Sequence, residues 1–154
     1  MRLKEYISKD LVFVVRGSGS KADFLKDLTT CIKEQFPSIN PDTLLDNLTE
    51  RENQASTGIG HGVAIPHTNL AGIDKTVCVI VLSPDGVNFE SIDSTPVNLT
   101  FLLLSPLGHV GNHLRILARI ARLVSREGLV SSMNSAENLA KAYAIIEKED
   151  QRHV

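Results

Sequence analysis

The segment that most constrains this chain runs from Arg51 to His67 and reads RENQASTGIGHGVAIPH. Three glycines stand at alternate positions, and a short β-type run then reaches a proline that is followed directly by a histidine. Glycine permits positive φ and the close approach of another backbone, and proline fixes the direction in which the chain continues. His67 is therefore expected at a strand end with a fixed orientation, and histidine readily gains or loses a proton near neutral pH. Such local control of the backbone indicates a pocket; the alternative is a hydrogen-bonded structural histidine.

Length and composition predict one domain over residues 1–154. The hydrophobic content of 42% is enough for a buried core. Charges nearly balance, with 16 lysines and arginines against 18 aspartates and glutamates. A main partner that is nucleic acid or an anionic membrane surface would favour a basic excess, so we expect neither.

The sequence also predicts a cytoplasmic protein without direct membrane insertion. No apolar run approaches the roughly 20 residues that span a bilayer, and the first residues lack the apolar region of a signal peptide. Cys31 and Cys78 are isolated, and we expect them to be reduced thiols.

The order of the predicted elements favours an α/β (α+β) fold, a three-layer α/β/α sandwich with a central mixed β-sheet. Strands are predicted at 11–15, 63–66, 77–82 and 97–104, the last two apolar enough for burial on both faces. Helices are predicted at 20–35, 41–53, 111–125 and 135–148. A turn is expected at Asp85–Gly86, another near Leu129, and a frayed end at 151–154. Regular βαβα alternation and a G-x-G-x-x-G motif are absent, which argues against a Rossmann domain.

Two further histidines, His109 and His113, lie four residues apart at the start of a predicted helix. Histidines with this spacing share one helical face and can bind a metal ion, with His67 as a third ligand. The other interpretation is two ordinary residues at a helix start. No glutamate follows the first histidine, as it would in H-E-x-x-H. A zinc-binding protein that uses these three histidines is the alternative function.

Four arginines recur along the same predicted helix at spacings of four, three and four: Arg115, Arg119, Arg122 and Arg126. We expect them to form one solvated basic edge; the alternative is a docking site for an acidic patch. Ser56 and Thr57 precede the glycines, and their hydroxyls, with the loop amides, could hold phosphate oxygens in an anion-binding nest. The other interpretation is a polar turn that caps the loop. G-x-x-x-x-G-K-[ST] is absent, so this is not a nucleotide P-loop.

Residues 51–67 closely resemble the signature of the type 2 enzyme IIA proteins, the fructose–mannitol and nitrogen-regulatory IIA domains of the bacterial phosphoenolpyruvate:sugar phosphotransferase system. A second block, residues 86–97, is similar to the family too, as are Leu103 to Pro106 and the His113-Leu114-x-x-Leu117 pattern. The resemblance covers essentially the whole chain in the family's order.

This resemblance implies that His67 is the phosphorylated residue, that His113 is a second pocket histidine and that Arg51 supports the phosphoryl group. The amides and hydroxyls of Ser56, Thr57 and Gly58 are suitable further donors to the phosphoryl oxygens. No cofactor is implied, since the phosphoryl donor is itself a protein.

By the same resemblance, the donor is the phosphocarrier HPr or its nitrogen-branch counterpart. The phosphoryl group is then relayed to a IIB cysteine for sugar uptake, or the phosphorylation state regulates partner proteins. Residues 89–97 and the single IIA domain slightly favour the nitrogen-regulatory type.

Overall fold

A mixed sheet lies at the centre of the structure, between two layers of helices. The computed structural model describes residues 1–153. In that part of the chain the strands are β1 (Val12–Val14), β2 (Gly58–Gly60), β3 (Val63–Ala64), β4 (His67–Leu70), β5 (Val77–Val87) and β6 (Val97–Pro106). Their order across the sheet is β1-β5-β6-β3-β2, and β4 also pairs with β6. The sheet is mixed, because β6 runs antiparallel to β5 but parallel to β3 and β4.

The helices are α1 (Lys21–Gln35), α2 (Pro41–Gln54), α3 (Val110–Val124), α4 (Leu129–Asn134) and α5 (Leu139–Arg152), with short 3₁₀ turns at Leu3–Glu5 and Lys9–Leu11. Apolar residues of α1 and α2 pack on one face of the sheet, and those of α3, α4 and α5 pack on the other. The prediction of a three-layer α/β/α sandwich is confirmed. None of the helices within residues 1–153 is long and apolar enough to cross a bilayer.

Alternation along the two long strands explains why both faces of the sheet are covered. Side chains of successive strand residues point to opposite faces. In β5, Cys78 and Ile80 join the core beneath α3–α5, whereas Val79 and Val81 join the core beneath α1 and α2. A strand that is apolar at every position can be satisfied only by helices on both sides of its sheet.

Several predicted boundaries are wrong. β5 continues through the predicted turn at Asp85–Gly86 to Val87, and its pairing with β6 shifts register between Leu82 and Val87. Gly86 has a φ of +77°. This conformation forms a bulge inside β5 instead of a turn between two strands. β1 lies at the sheet edge, which leaves Val14 42% exposed rather than buried.

The C-terminal helix also differs from its prediction. Asn138 caps α5 by accepting a hydrogen bond from the Lys141 amide, so the helix begins four residues later than the predicted 135. It continues to Arg152, through residues expected to be frayed. The predicted turn near Leu129 is the short helix α4.

A buried ion pair explains why the end of α5 is ordered. The Asp150 carboxylate is fully buried and lies 2.8 Å from Arg119 Nη2 and 3.0 Å from Arg119 Nε. It also accepts hydrogen bonds from the backbone amides of Leu3 and Lys4. The expectation that Arg119 belongs to a solvated basic edge is therefore wrong, although Arg115, Arg122 and Arg126 are exposed.

We predict that Asp150→Ala lowers the free energy of unfolding by about 3–5 kcal/mol. The substitution leaves the Arg119 charge buried without its partner and removes the acceptor for two N-terminal amides. Urea unfolding measures the effect, with Lys148→Ala on the exposed side of α5 as the control. Equal stability of the two variants would contradict this role for the pair.

Candidate functional site

His67 is oriented by a break between two short strands. β3 ends at Ala64, and His67 opens β4 opposite Leu103 of β6. Between the two strands, the Pro66 carbonyl accepts a hydrogen bond of 2.9 Å from the Leu103 amide. This bond keeps the connecting segment attached to β6. The predicted strand at 63–66 is thus shorter than expected, and the histidine begins a strand rather than ending one.

Both ring nitrogens of the half-buried His67 side chain have partners. Nδ1 lies 2.8 Å from the carbonyl oxygen of Ile65, and Nε2 lies 3.3 Å from Arg51 Nε. A carbonyl only accepts and a guanidinium N–H only donates. We therefore assign the ring hydrogen to Nδ1, which leaves a lone pair on Nε2.

The charge state of His67 follows from its surroundings. Burial lowers the pKa of His67, the Ile65 hydrogen bond and the nearby Glu52 carboxylate raise it, and the Arg51 charge lowers it; the net direction is downward. The imidazole is neutral at pH 7, so the Nε2 lone pair is available to an electrophile.

Arg51 reaches this nitrogen from the last turn of α2. Its Nη1 donates a hydrogen bond of 3.0 Å to the Ala55 carbonyl, just beyond the helix end. This bond fixes the guanidinium beside His67. The two side chains share a groove between α2 and β4.

His113 approaches from the opposite helical layer, in the first turns of α3. Its ring centroid lies 4.9 Å from that of His67, with the two planes inclined at 60°. Burial, followed by the His67 and Arg51 charges, lowers the pKa of His113 to about 4. His113 is only 5% exposed and is neutral at pH 7.

Two hydroxyls orient the His113 ring. Thr76 Oγ1 donates to Ser105 Oγ at 3.2 Å, and Ser105 Oγ lies 2.9 Å from His113 Nδ1. Because Ser105 already accepts from Thr76, its own hydrogen can be donated to Nδ1. We assign the remaining ring hydrogen to Nε2, which makes His113 a hydrogen-bond donor at that atom. The site thus combines a lone pair, a guanidinium and a neutral N–H donor, a set suited to a reacting group that carries negative charge.

The three residues Ser56, Thr57 and Gly58 are engaged within the chain. Ser56 Oγ donates to the Phe89 carbonyl and accepts from the Gly58 amide, while the Thr57 amide and hydroxyl both donate to Glu52. A Cβ at position 58 would lie 2.2 Å from Ser91 Oγ and 3.2 Å from Ser91 Cα, so close packing favours glycine there. That these residues bind phosphoryl oxygens stays a prediction.

The sequence analysis missed three residues that support the site: Glu52, Thr76 and Ser105. A hydroxyl at the end of an otherwise apolar strand was the available signal for Ser105. Nothing in the sequence pairs Thr76 with Ser105. The two residues are 29 positions apart and meet only where the start of β5 lies beside the end of β6.

The alternative zinc site gains no support. His109 is exposed at the start of α3, and its side chain makes no capping bond. Within residues 1–153 there is no group of three or more histidine, cysteine, aspartate or glutamate side chains arranged to hold a metal ion.

Comparison with known proteins agrees with the resemblance seen in the sequence. The family described as "Phosphoenolpyruvate-dependent sugar phosphotransferase system, EIIA 2" matches residues 5–149. The chain belongs to this family. Its members are phosphotransfer components, although the nitrogen-type members are regulatory.

Individual relatives come from both branches of the family. A nitrogen regulatory protein of Pseudomonas aeruginosa is 30% identical over 146 residues, which cover 95% of each chain. The fructose-specific EIIABC component of Bacillus subtilis is 28% identical over 98% of this chain but only 24% of its own length. The crystal structure of nitrogen regulatory protein IIA-Ntr from Neisseria meningitidis has a TM-score of 0.82 at 28% identity, covering 92% of this chain and 97% of that one.

We predict that His113 makes stability depend on pH. Its pKa is about 4 in the folded chain against 6.5 as the ordinary value, so between these pH values the unfolded chain binds more protons. The free energy of unfolding should fall as the pH is lowered from 6.5 to 4, by up to roughly 3 kcal/mol from this residue.

Urea unfolding between pH 4 and 8 measures this contribution as the difference between wild type and His113→Gln. His109→Gln, at an exposed position, is the matched control. If the His113→Gln curve ran parallel to that of the wild type over the whole range, the depressed pKa would be wrong.

Proposed function

We propose that this protein is a phosphocarrier that accepts a phosphoryl group on His67 from the phosphohistidine of an HPr-type protein. The single observation that carries the proposal is the pair of contacts at the His67 ring, with Nδ1 bonded to the Ile65 carbonyl and the Nε2 lone pair beside Arg51. Family membership supports the phosphoryl chemistry, and the ring contacts support Nε2 as the accepting atom.

The transfer is a direct exchange between two imidazoles. The Nε2 lone pair of His67 forms a bond to phosphorus while the N–P bond of the donor breaks, and the electrons of that bond stay on the donor nitrogen. His67 keeps its Nδ1 hydrogen, and the Ile65 carbonyl accepts it in the cationic phosphohistidine. The donor ring, reacting with its second nitrogen protonated, leaves as a neutral imidazole. No proton has to cross between the two proteins.

Arg51 and His113 stabilise the charge on the transferred group. The Arg51 Nε–H contact to the His67 lone pair is long, at 3.3 Å, and is easily exchanged for charge-assisted bonds to phosphoryl oxygens. His113 contributes its Nε2–H from the other side. Since both are held before the reaction, little reorganisation accompanies the transfer. Ser56, Thr57 and Gly58 remain candidate donors, which would first have to exchange their present partners.

The fate of the phosphoryl group separates two versions of the function. In one, the phosphorylation state of His67 regulates partner proteins; the Pseudomonas and Neisseria relatives are named nitrogen regulatory proteins. In the other, the group passes to a IIB cysteine for sugar uptake. We favour the regulatory version, because the Pseudomonas protein is 30% identical over 146 residues and the Neisseria structure has a TM-score of 0.82.

We predict that His67→Ala abolishes phosphate uptake from phospho-HPr and leaves the fold intact. Incubation with phosphoenolpyruvate, enzyme I and HPr, followed by mass spectrometry, identifies the labelled residue. His113→Ala should take up phosphate more slowly, and His113→Gln, which keeps a donor, should lose less. His109→Ala is the control and should behave as wild type. Undiminished labelling of the His67→Ala variant would refute the assignment.

We predict that Arg51→Ala slows phosphoryl transfer by about 10²-fold with little change in melting temperature. The guanidinium is a preorganised donor whose loss costs transition-state stabilisation, whereas within residues 1–153 its only hydrogen bond besides the one to His67 is to Ala55. Arg51→Lys keeps the charge but not the planar fork and should recover only part of the rate. Rapid-quench kinetics and thermal melts measure the two effects. A wild-type rate, or an unfolded variant, would each be inconsistent with this role.

A further inference from the structure

Glu52, the residue after Arg51, is a buried acidic side chain with a complete set of partners. It is only 6% exposed. Oε1 accepts hydrogen bonds from the Thr57 amide at 3.0 Å and from Lys21 Nζ at 3.1 Å, and Oε2 accepts from the Thr57 hydroxyl. Burying a carboxylate is costly unless it is paired in this way, so its presence requires a physical reason.

A continuous path of hydrogen bonds leads from this carboxylate to the His67 ring. Glu52 holds Thr57, the Thr57 carbonyl accepts the Ile65 amide at 3.0 Å, and the Ile65 carbonyl accepts His67 Nδ1 at 2.8 Å. The same turn of α2 therefore reaches both ring nitrogens. Arg51 contacts Nε2 directly, and Glu52 acts on Nδ1 through two backbone segments.

We propose that Glu52 is a positioning residue for phosphoryl transfer, which fixes the Ile65 carbonyl and so holds the His67 ring with Nε2 free of hydrogen. The tautomer of a histidine is set by the hydrogen bond that its other nitrogen makes. If the Ile65 carbonyl moves away, the Nδ1–H form is favoured by the long Arg51 contact of 3.3 Å alone, and a hydrogen on Nε2 would occupy the lone pair that attacks phosphorus. This inference rests on the proposed function of His67.

A carboxylate is the group that this position requires. Thr57 presents two hydrogen-bond donors to this side chain, and Lys21 presents a third. A carboxylate accepts from all three, whereas an amide would place its own N–H against one of these donors. Lys21 balances the charge of Glu52, because its ammonium lies 3.1 Å from Oε1; the same ammonium also lies 3.4 Å from Glu90. The charged and titratable groups that bear on the His67 ring are Arg51 and Glu52 from α2 and His113 from α3.

Nitrogen-15 NMR of the histidine rings tests the proposal on the unphosphorylated protein, without any partner. In wild type, His67 should show a protonated Nδ1 and an unprotonated Nε2 at pH 7. Glu52→Gln should convert His67 to a mixture of tautomers and slow phosphate uptake from phospho-HPr by on the order of 10-fold to 100-fold. Thr57→Val removes only the hydroxyl contact and should change both readouts in the same direction by less. Asp46→Asn, an exposed acidic residue on the same helix, is the control and should change neither.

An unchanged His67 tautomer in Glu52→Gln would overturn the proposal, and so would a shifted tautomer with the wild-type rate of uptake. If Glu52→Gln does not fold, the His67 tautomer and the rate of phosphate uptake of Thr57→Val test the proposal in its place. Because the tautomer is read without phosphorylation, a failure of the proposed function is distinguishable: it would appear as wild-type protein that takes up no phosphate at His67.

Discussion

The hydrogen bond between His67 Nδ1 and the Ile65 carbonyl is the interaction on which the site depends. It joins two residues only two positions apart, on either side of Pro66, where the chain passes from β3 to β4. With the ring hydrogen held there, the lone pair stays on Nε2. In the transfer that we propose, Arg51 and His113 act on the phosphoryl group because this nitrogen is the nucleophile.

Each layer of the sandwich supplies one of these side chains. Arg51 comes from α2 on one face, His67 from the sheet and His113 from α3 on the other face. The two rings are kept neutral by burial as well as by the arginine charge, and burial acts most strongly on both. The fold thus creates two neutral imidazoles beside a cation, a combination that isolated histidines in water would not maintain at slightly acidic pH.

Local signals in the sequence were sufficient for most of the fold. The caps at Ser20 and Asn40 start α1 and α2 as predicted, and the apolar runs of β5 and β6 required helices on both faces. Long-range partners could not be read from periodicity. The spacing of the arginines placed Arg119 on a solvated edge. In the structure it is buried and pairs with Asp150, 31 residues further along the chain. At the site, the resemblance identified Arg51, His67 and His113, and the structure brings them together. The supporting roles of Glu52, Thr76 and Ser105 depend on contacts that exist only in the folded chain.

The central claim is that phosphorus becomes bonded to Nε2 of His67. The most direct measurement is the coupling between phosphorus-31 and nitrogen-15 in uniformly labelled protein phosphorylated through HPr. We expect a one-bond coupling to Nε2 of His67, with Nδ1 still carrying its hydrogen. A one-bond coupling to Nδ1, or to any other histidine, would contradict this account of the site.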